Sequence, residues 1–113
     1  MQVAIITGAG SGIGLATAKQ LHEAGMAIVG IGRDPAKLET LVAELGDTDR
    51  IETLAIDIAA DAAPLTIVNA ALDRFGQIDF LINNAGLPPR DGLAEHGNVR
   101  AGIYATTDGK GAI

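Results

Sequence analysis

The chain has 113 residues, enough for one domain; 8 Lys and Arg stand against 14 Asp and Glu, for a formal charge of −6, and 48% of the residues are hydrophobic. That balance excludes a disordered tail, which combines low hydropathy with high charge, and argues against nucleic acid or an anionic membrane as partner, since both reward basic surfaces. The absence of cysteine excludes a disulfide framework and a thiolate metal site, and no apolar run reaches the ~18 residues of a spanning helix. Residues 1–6 lead into a glycine loop with no basic region ahead of them, so a cytoplasmic protein is the expectation.

In chain order, Val3-Ala4-Ile5-Ile6 is an all-apolar run of the kind that forms a strand buried on both faces. Residues 12–24 read as a helix stopped by Gly25, with Gly14, Ala18 and Leu21 toward the sheet. Ala27-Ile28-Val29-Gly30-Ile31 is a second buried strand. Asp34-Pro35 then supplies an N-cap and a first-turn proline, and Leu38, Leu41, Val42 and Leu45 form one apolar helix face before Gly46. Residues 51–57 predict a third strand. Pro64 opens a third helix with Leu65, Val68, Leu72 and Phe75 as its apolar positions, and residues 78–82 predict a fourth strand.

Strands alternating with helices of this length run parallel with right-handed crossovers. The expectation is therefore an α/β, doubly wound parallel sheet of Rossmann type, incomplete at about four to five strands, in the order 3-2-1-4. Residues 1–86 form this dinucleotide-binding unit. Residues 87–113 form a tail of different character, with a short helix at 98–107 and the entry to a further strand near its end.

Thr7-Gly8-Ala9-Gly10-Ser11-Gly12-Ile13-Gly14 joins the first strand to the first helix. A pyrophosphate needs a turn that its oxygens can approach closely, free backbone N–H groups and the positive end of a helix dipole. Gly8, Gly12 and Gly14 supply the turn, the approach and the helix–sheet contact; a strand before and a helix after is the context that gives such a motif its meaning. At the end of the second strand an acid would hold the ribose 2′-OH of NAD, and a cation would take the 2′-phosphate of NADP. Gly32 occupies the acidic position and Arg33 follows, which points to NADP, with NAD possible. The alternative for Arg33 is a solvated cation paired with Asp34 or Glu39. Asp57 ends the third strand, where it either accepts from an adenine amino group or caps the turn before Ala59. His22 and His96 have no ligand spacing between them and read as solvated surface residues.

Together, the glycine loop, Gly32-Arg33, Asp57-Ile58, Asp79 and Asn83-Asn84-Ala85-Gly86 resemble the short-chain dehydrogenase/reductase family over residues 1–86. The resemblance implies an NAD(P)-dependent oxidoreductase of alcohols or carbonyls. It also implies that Gly8, Ser11, Gly12, Ile13, Arg33, Asp57, Ile58, Asn84, Ala85 and Gly86 touch the cofactor. The family's catalytic groups are a Ser, a Tyr and a Lys four residues beyond the Tyr. Here the one serine is Ser11, and the one tyrosine, Tyr104, is followed four residues on by Asp108. No catalytic residue is therefore assigned, and a member that stops before its active site and is inactive alone is the expectation. The stretch 98–107 is similar to the helix that carries the family's relay Asn, with Asn98 in that place.

A fourth strand without an outer neighbour would leave an apolar edge open to self-association. A non-catalytic nucleotide-binding or interaction module is the competing reading. A methyltransferase-type domain is disfavoured by Gly32-Arg33, and a phosphotransferase P-loop is excluded because no Gly-Lys-Ser/Thr follows the glycines.

Overall fold

The structure is a computed structural model that describes residues 1–84 and 102–105. The element order is β1(Val3–Thr7), α1(Gly12–Glu23), β2(Ala27–Gly32), α2(Pro35–Leu45), β3(Ile51–Ala55), α3(Ala63–Phe75), β4(Phe80–Asn83) and β5(Gly102–Ala105), with a 3-10 turn at Thr48–Arg50. One sheet holds all five strands in the order β3-β2-β1-β4-β5. β1 pairs in parallel with β2 and β4, and β2 in parallel with β3. The expected order 3-2-1-4 is thus what forms.

β1 is buried at every position because both of its faces are covered. The period of two sorts its side chains. Val3 and Ile5 join Val29, Ile31, Ile67 and Ala71 in the core under α3. Ala4 and Ile6 join Ala18, Ile28 and Leu41 in the core under α1 and α2. The missing side chain of Gly30 lets α2 settle onto the sheet, since a Cβ there would come within 2.5 Å of Leu41 Cδ2.

α2 starts as its sequence dictates: Asp34 Oδ1 accepts from the Ala36 N–H at 3.0 Å, Pro35 follows, and Gly46 closes the helix at φ 72°. Other expectations need correction. The buried stripe of α3 is Ala63, Ile67 and Ala71, while Leu65 is 67% exposed and Val68, Leu72 and Phe75 are half-buried at the margin. Small residues let α3 lie close to the sheet, so the stripe follows shape rather than side-chain size. His22 is buried, not solvated, because the 47–50 segment closes over the end of α1. Arg50 Nη1 donates to the carbonyl oxygens of His22 and Met26 at 2.9 and 3.0 Å, and Arg50 Nε to Asp47 Oδ2 at 2.9 Å. Strands 3 and 4 also run one or two residues differently from their expected limits.

The largest departure is β5. Gly102–Ala105 is a strand antiparallel to β4, with Phe80 opposite Ala105 and Asn83 opposite Gly102. The helix expected over 98–107 is therefore not what residues 102–105 adopt. Glycine weakens a helix and the adjoining Ile-Tyr pair favours a strand, while β4 offers unpaired backbone groups along its edge. The expectation that β4 lacks an outer neighbour is corrected by the same strand. Asn98 and residues 109–113 lie outside the described residues.

Candidate functional site at the carboxyl edge of the sheet

In a doubly wound sheet, ligands bind outside the carboxyl ends of the strands where the chain order reverses. Here that point lies between β1 and β4: β1 feeds α1 on one face, and α3 on the other face feeds β4. The glycine turn occupies it. Gly8 has φ 66° and Gly12 has φ 59°, a conformation L side chains rarely adopt. The turn is pinned by Gly8 and Ala9 N–H groups donating to the Ile31 carbonyl at 2.8 and 3.2 Å.

Gly14 is buried and serves a different purpose. A Cβ there would overlap the Gly8 carbonyl oxygen and approach Asn84 Nδ2 to 2.7 Å, so only hydrogen fits between the turn, α1 and the end of β4. Gly10, outside the expected set, is equally close-fitted: its Cβ would lie 2.6 Å from Lys37 Cβ.

Ser11 is the N-cap of α1 in extended conformation, yet its side chain makes no cap hydrogen bond, and no acidic residue stands in the first turn. The N–H groups of a first turn have no partner within the helix. Ser11 and Gly12 are exposed, and Ile13 is 76% exposed. An open hydroxyl, free N–H groups and a bare aliphatic side chain thus face outward together at the positive end of α1.

Thr7 ties the turn to β4. Its Oγ1 donates to Asn83 Oδ1 at 3.1 Å and accepts from the Asn84 N–H at 2.9 Å. Asn84 Nδ2 reaches the Gly8 carbonyl at 3.4 Å. At the far end of the same strands, Asp79 Oδ2 accepts from the Val3 N–H at 2.8 Å and from Gln77 Nε2 at 2.6 Å. Beside the Thr7 network opens a cavity of about 190 Å³ lined by Thr7, Asn83, Leu81, Ile58, Ala63, Pro64 and Ile67. A wider groove of about 460 Å³ lies between α2 and β3, away from the turn, and Glu39 is the one charged residue lining it.

Arg33 is exposed just beyond β2. Neither Asp34 nor Glu39 forms an ion pair with it among the described residues; the Asp34 carboxylate is engaged by the Ala36 N–H. A Cβ at Gly32 would lie 3.3 Å from Leu38 Cδ2, a tight contact, so α2 packs closely on the strand end just before Arg33. Asp57 Oδ1 accepts from the Ala59 N–H at 2.9 Å, which makes it the turn cap weighed for it and leaves the second oxygen exposed. Ile58 faces the smaller cavity. Ala85 and Gly86 lie outside the described residues. The structure therefore gathers Gly8, Ser11, Gly12, Ile13, Gly14 and Asn84 around one turn, with Arg33 beyond β2 and Asp57 and Ile58 beyond β3. Sequence reasoning missed the hydroxyl relay of Thr7. The signal for it was a hydroxyl closing an otherwise apolar strand.

The short chain dehydrogenase family model matches residues 2–106. An uncharacterized oxidoreductase of Staphylococcus saprophyticus is 35% identical over 102 residues, covering 88% of this chain and 43% of that protein. A 3-ketoacyl-(acyl-carrier-protein) reductase of Brucella melitensis, solved with NADH, is 41% identical with a TM-score of 0.70, covering 81% of this chain and 38% of that one. A metagenomic short-chain oxidoreductase solved with NADP is 36% identical with the same TM-score of 0.70, covering 76% and 39%. The chain thus spans about two fifths of the length of these relatives. Matched along nearly all of its length and folded as they are, it belongs to the short-chain dehydrogenase family.

Proposed function

We propose that the chain binds a nicotinamide dinucleotide, NADP(H) in preference to NAD(H), as the nucleotide-binding unit of an oxidoreductase acting on an alcohol or carbonyl. The observation that carries this reading is the Thr7–Gly14 turn, whose cap hydroxyl and first-turn N–H groups are left without internal partners at the positive end of α1. A pyrophosphate fits these residues: the turn carries no acid to repel it, and the left-handed Gly8 and Gly12 keep side chains out of its way.

In this reading Ser11 and the N–H groups of Gly12 and Ile13 hold the pyrophosphate, while Gly14 keeps α1 seated against the turn. Arg33 takes the ribose 2′-phosphate. The free Asp57 oxygen accepts from the adenine amino group, with Ile58 against the ring. Asn84, with Ala85 and Gly86 after it, borders the nucleoside on the β4 side. The dinucleotide supplies hydride transfer when bound; the protein residues named here bind and orient it.

Calorimetric titration of the chain with NADP⁺ and NAD⁺ tests the reading. Charge-assisted hydrogen bonds to a phosphate contribute about 1.5–3 kcal/mol, so Arg33→Ala is expected to weaken NADP⁺ about 10–100-fold and leave NAD⁺ unchanged. No binding of either nucleotide at saturating concentration would overturn the assignment. Equal affinities in the unmutated chain would overturn the preference for NADP.

A further inference from the structure

Five Lys and Arg residues lie among the described ones, and three are engaged by groups of the protein itself. Lys19 pairs with Glu44 at 2.9 Å. Arg50 holds Asp47 and the end of α1. Arg74 donates to the carbonyls of Thr48 and Asp49 and lies over the Phe75 ring. The remaining two, Arg33 and Lys37, are exposed and have no acidic partner among the described residues. Both sit at the carboxyl edge of the sheet, in a chain whose formal charge is −6.

Lys37 is also misplaced by local criteria. It occupies the first turn of α2, the positive end of that helix, where a cation is disfavoured and an acid would be preferred. Asp34, the nearest acid in sequence on that side, is committed to the cap at Ala36 N–H, and Glu39 makes no pair with Lys37. Gly10 brings this residue onto the phosphate turn. A Cβ at position 10 would meet Lys37 Cβ at 2.6 Å and the Lys37 carbonyl carbon and oxygen at 3.0 and 3.1 Å. The lysine stem therefore starts in contact with the turn, and its flexible four-carbon chain carries a point charge from there.

We propose that Lys37, held against the phosphate turn by Gly10, is the second cation of a ribose-phosphate subsite whose first is Arg33, and so sets the preference for a 2′-phosphorylated dinucleotide. An anion there would relieve the unfavourable placement of a positive charge at the start of α2. This inference rests on the NADP(H) reading above and adds to it a residue that the family resemblance does not supply.

The test uses the full chain, with NADP⁺ and NAD⁺ as probes in calorimetric titrations at fixed ionic strength. Losing one of two charges on a dianionic phosphate is expected to weaken NADP⁺ about tenfold in Lys37→Ala, with NAD⁺ unchanged. Lys37→Arg is expected to keep the preference, which a purely structural role for the stem would not require. Gly10→Ala leaves every charge in place but separates α2 from the turn, and is expected to lose preference for NADP⁺. If Arg33→Ala abolishes the preference while Lys37→Ala leaves it intact, the role of Lys37 is refuted and the NADP(H) reading stands. If the unmutated chain does not distinguish the two dinucleotides, both fall together.

Discussion

Gly14→Ala separates two opposing effects at one position. Gly14 lies in the first turn of α1 with a helical backbone, so alanine gains about 1 kcal/mol in helix propensity over glycine. Against this, its Cβ would overlap the Gly8 carbonyl oxygen, with the Gly8 carbonyl carbon and Asn84 Nδ2 both at 2.7 Å. Two of these atoms are backbone, and Gly8 cannot retreat because its N–H is bonded to Ile31 at 2.8 Å. Overpacking of a rigid site costs about 1–3 kcal/mol, and here the upper end applies. Displacing the Asn84 amide from the Gly8 carbonyl adds about 1 kcal/mol. The sum, less the propensity gain, is a net loss of about 2–3 kcal/mol. Urea unfolding followed by circular dichroism is expected to show a midpoint lower by about 1–2 M at unchanged slope. Gly46→Ala is the control: with nothing within 4 Å, its cost is only the left-handed strain at φ 72°, about 1–2 kcal/mol. A Gly14→Ala chain as stable as the parent would refute the claim that this contact closes the turn onto β4.

Thr7→Val keeps the shape of the side chain but strands Asn83 Oδ1 and the Asn84 N–H, and is expected to cost about 1–3 kcal/mol in urea unfolding; Thr7→Ser, which keeps the hydroxyl, is expected to cost less. The Asp47 carboxyl is held below its ordinary value of 3.8: burial alone would raise it, but the Asp49 N–H, the Arg50 guanidinium and nearby His22 outweigh that. A depressed folded pKa gives stability that is present above about 4 and lost as pH falls through the folded value. Unfolding midpoints are therefore expected to drop below pH 4, and more shallowly in Asp47→Asn; identical pH profiles would discount the Asp47–Arg50 brace. Lys19 is shifted the other way, its ammonium favoured first by the hydrogen bond it donates to the Glu44 carboxylate. That contribution is present at neutral pH and lost only as pH rises through the raised value above 10.5. Glu44→Gln is expected to remove this alkaline dependence in the same unfolding assay. Finally, the 113 residues alone are expected to show no NADPH oxidation above background with a panel of ketones and aldehydes. Sustained turnover would show that a constellation other than Ser, Tyr and Lys operates here.

The order of strands and the phosphate turn were legible because each is set locally. β1, β2 and β3 each lead into a helix, and handedness leaves one way to wind such units. α2 could be read to its first and last residue, since Asp34, Pro35 and Gly46 carry their own geometry. What fills each interface was not local. The sheet, not the hydrophobicity of the helix, chose Ala63, Ile67 and Ala71 as the buried side of α3, leaving Leu65 in solvent. His22 became buried because a segment 25 residues later in the chain closes over it. The strand at Gly102–Ala105 forms because β4 offers an edge with open hydrogen bonds, a condition invisible in those four residues.

The candidate site divides the same way. Sequence alone determined that a turn able to receive a phosphate would follow β1, because Gly8 and Gly12 are needed wherever a backbone takes positive φ. Only the tertiary structure decided that Gly10 is a close-approach position, that Gly14, already expected at the helix–sheet contact, meets the Gly8 carbonyl and Asn84, that Thr7 joins two strand ends through one hydroxyl, and that Arg33 and Lys37 lack the acids beside them in sequence. The physical reason is range. Backbone conformation is fixed by the residue and its immediate neighbours, whereas steric fit and charge pairing depend on groups that folding brings from far along the chain.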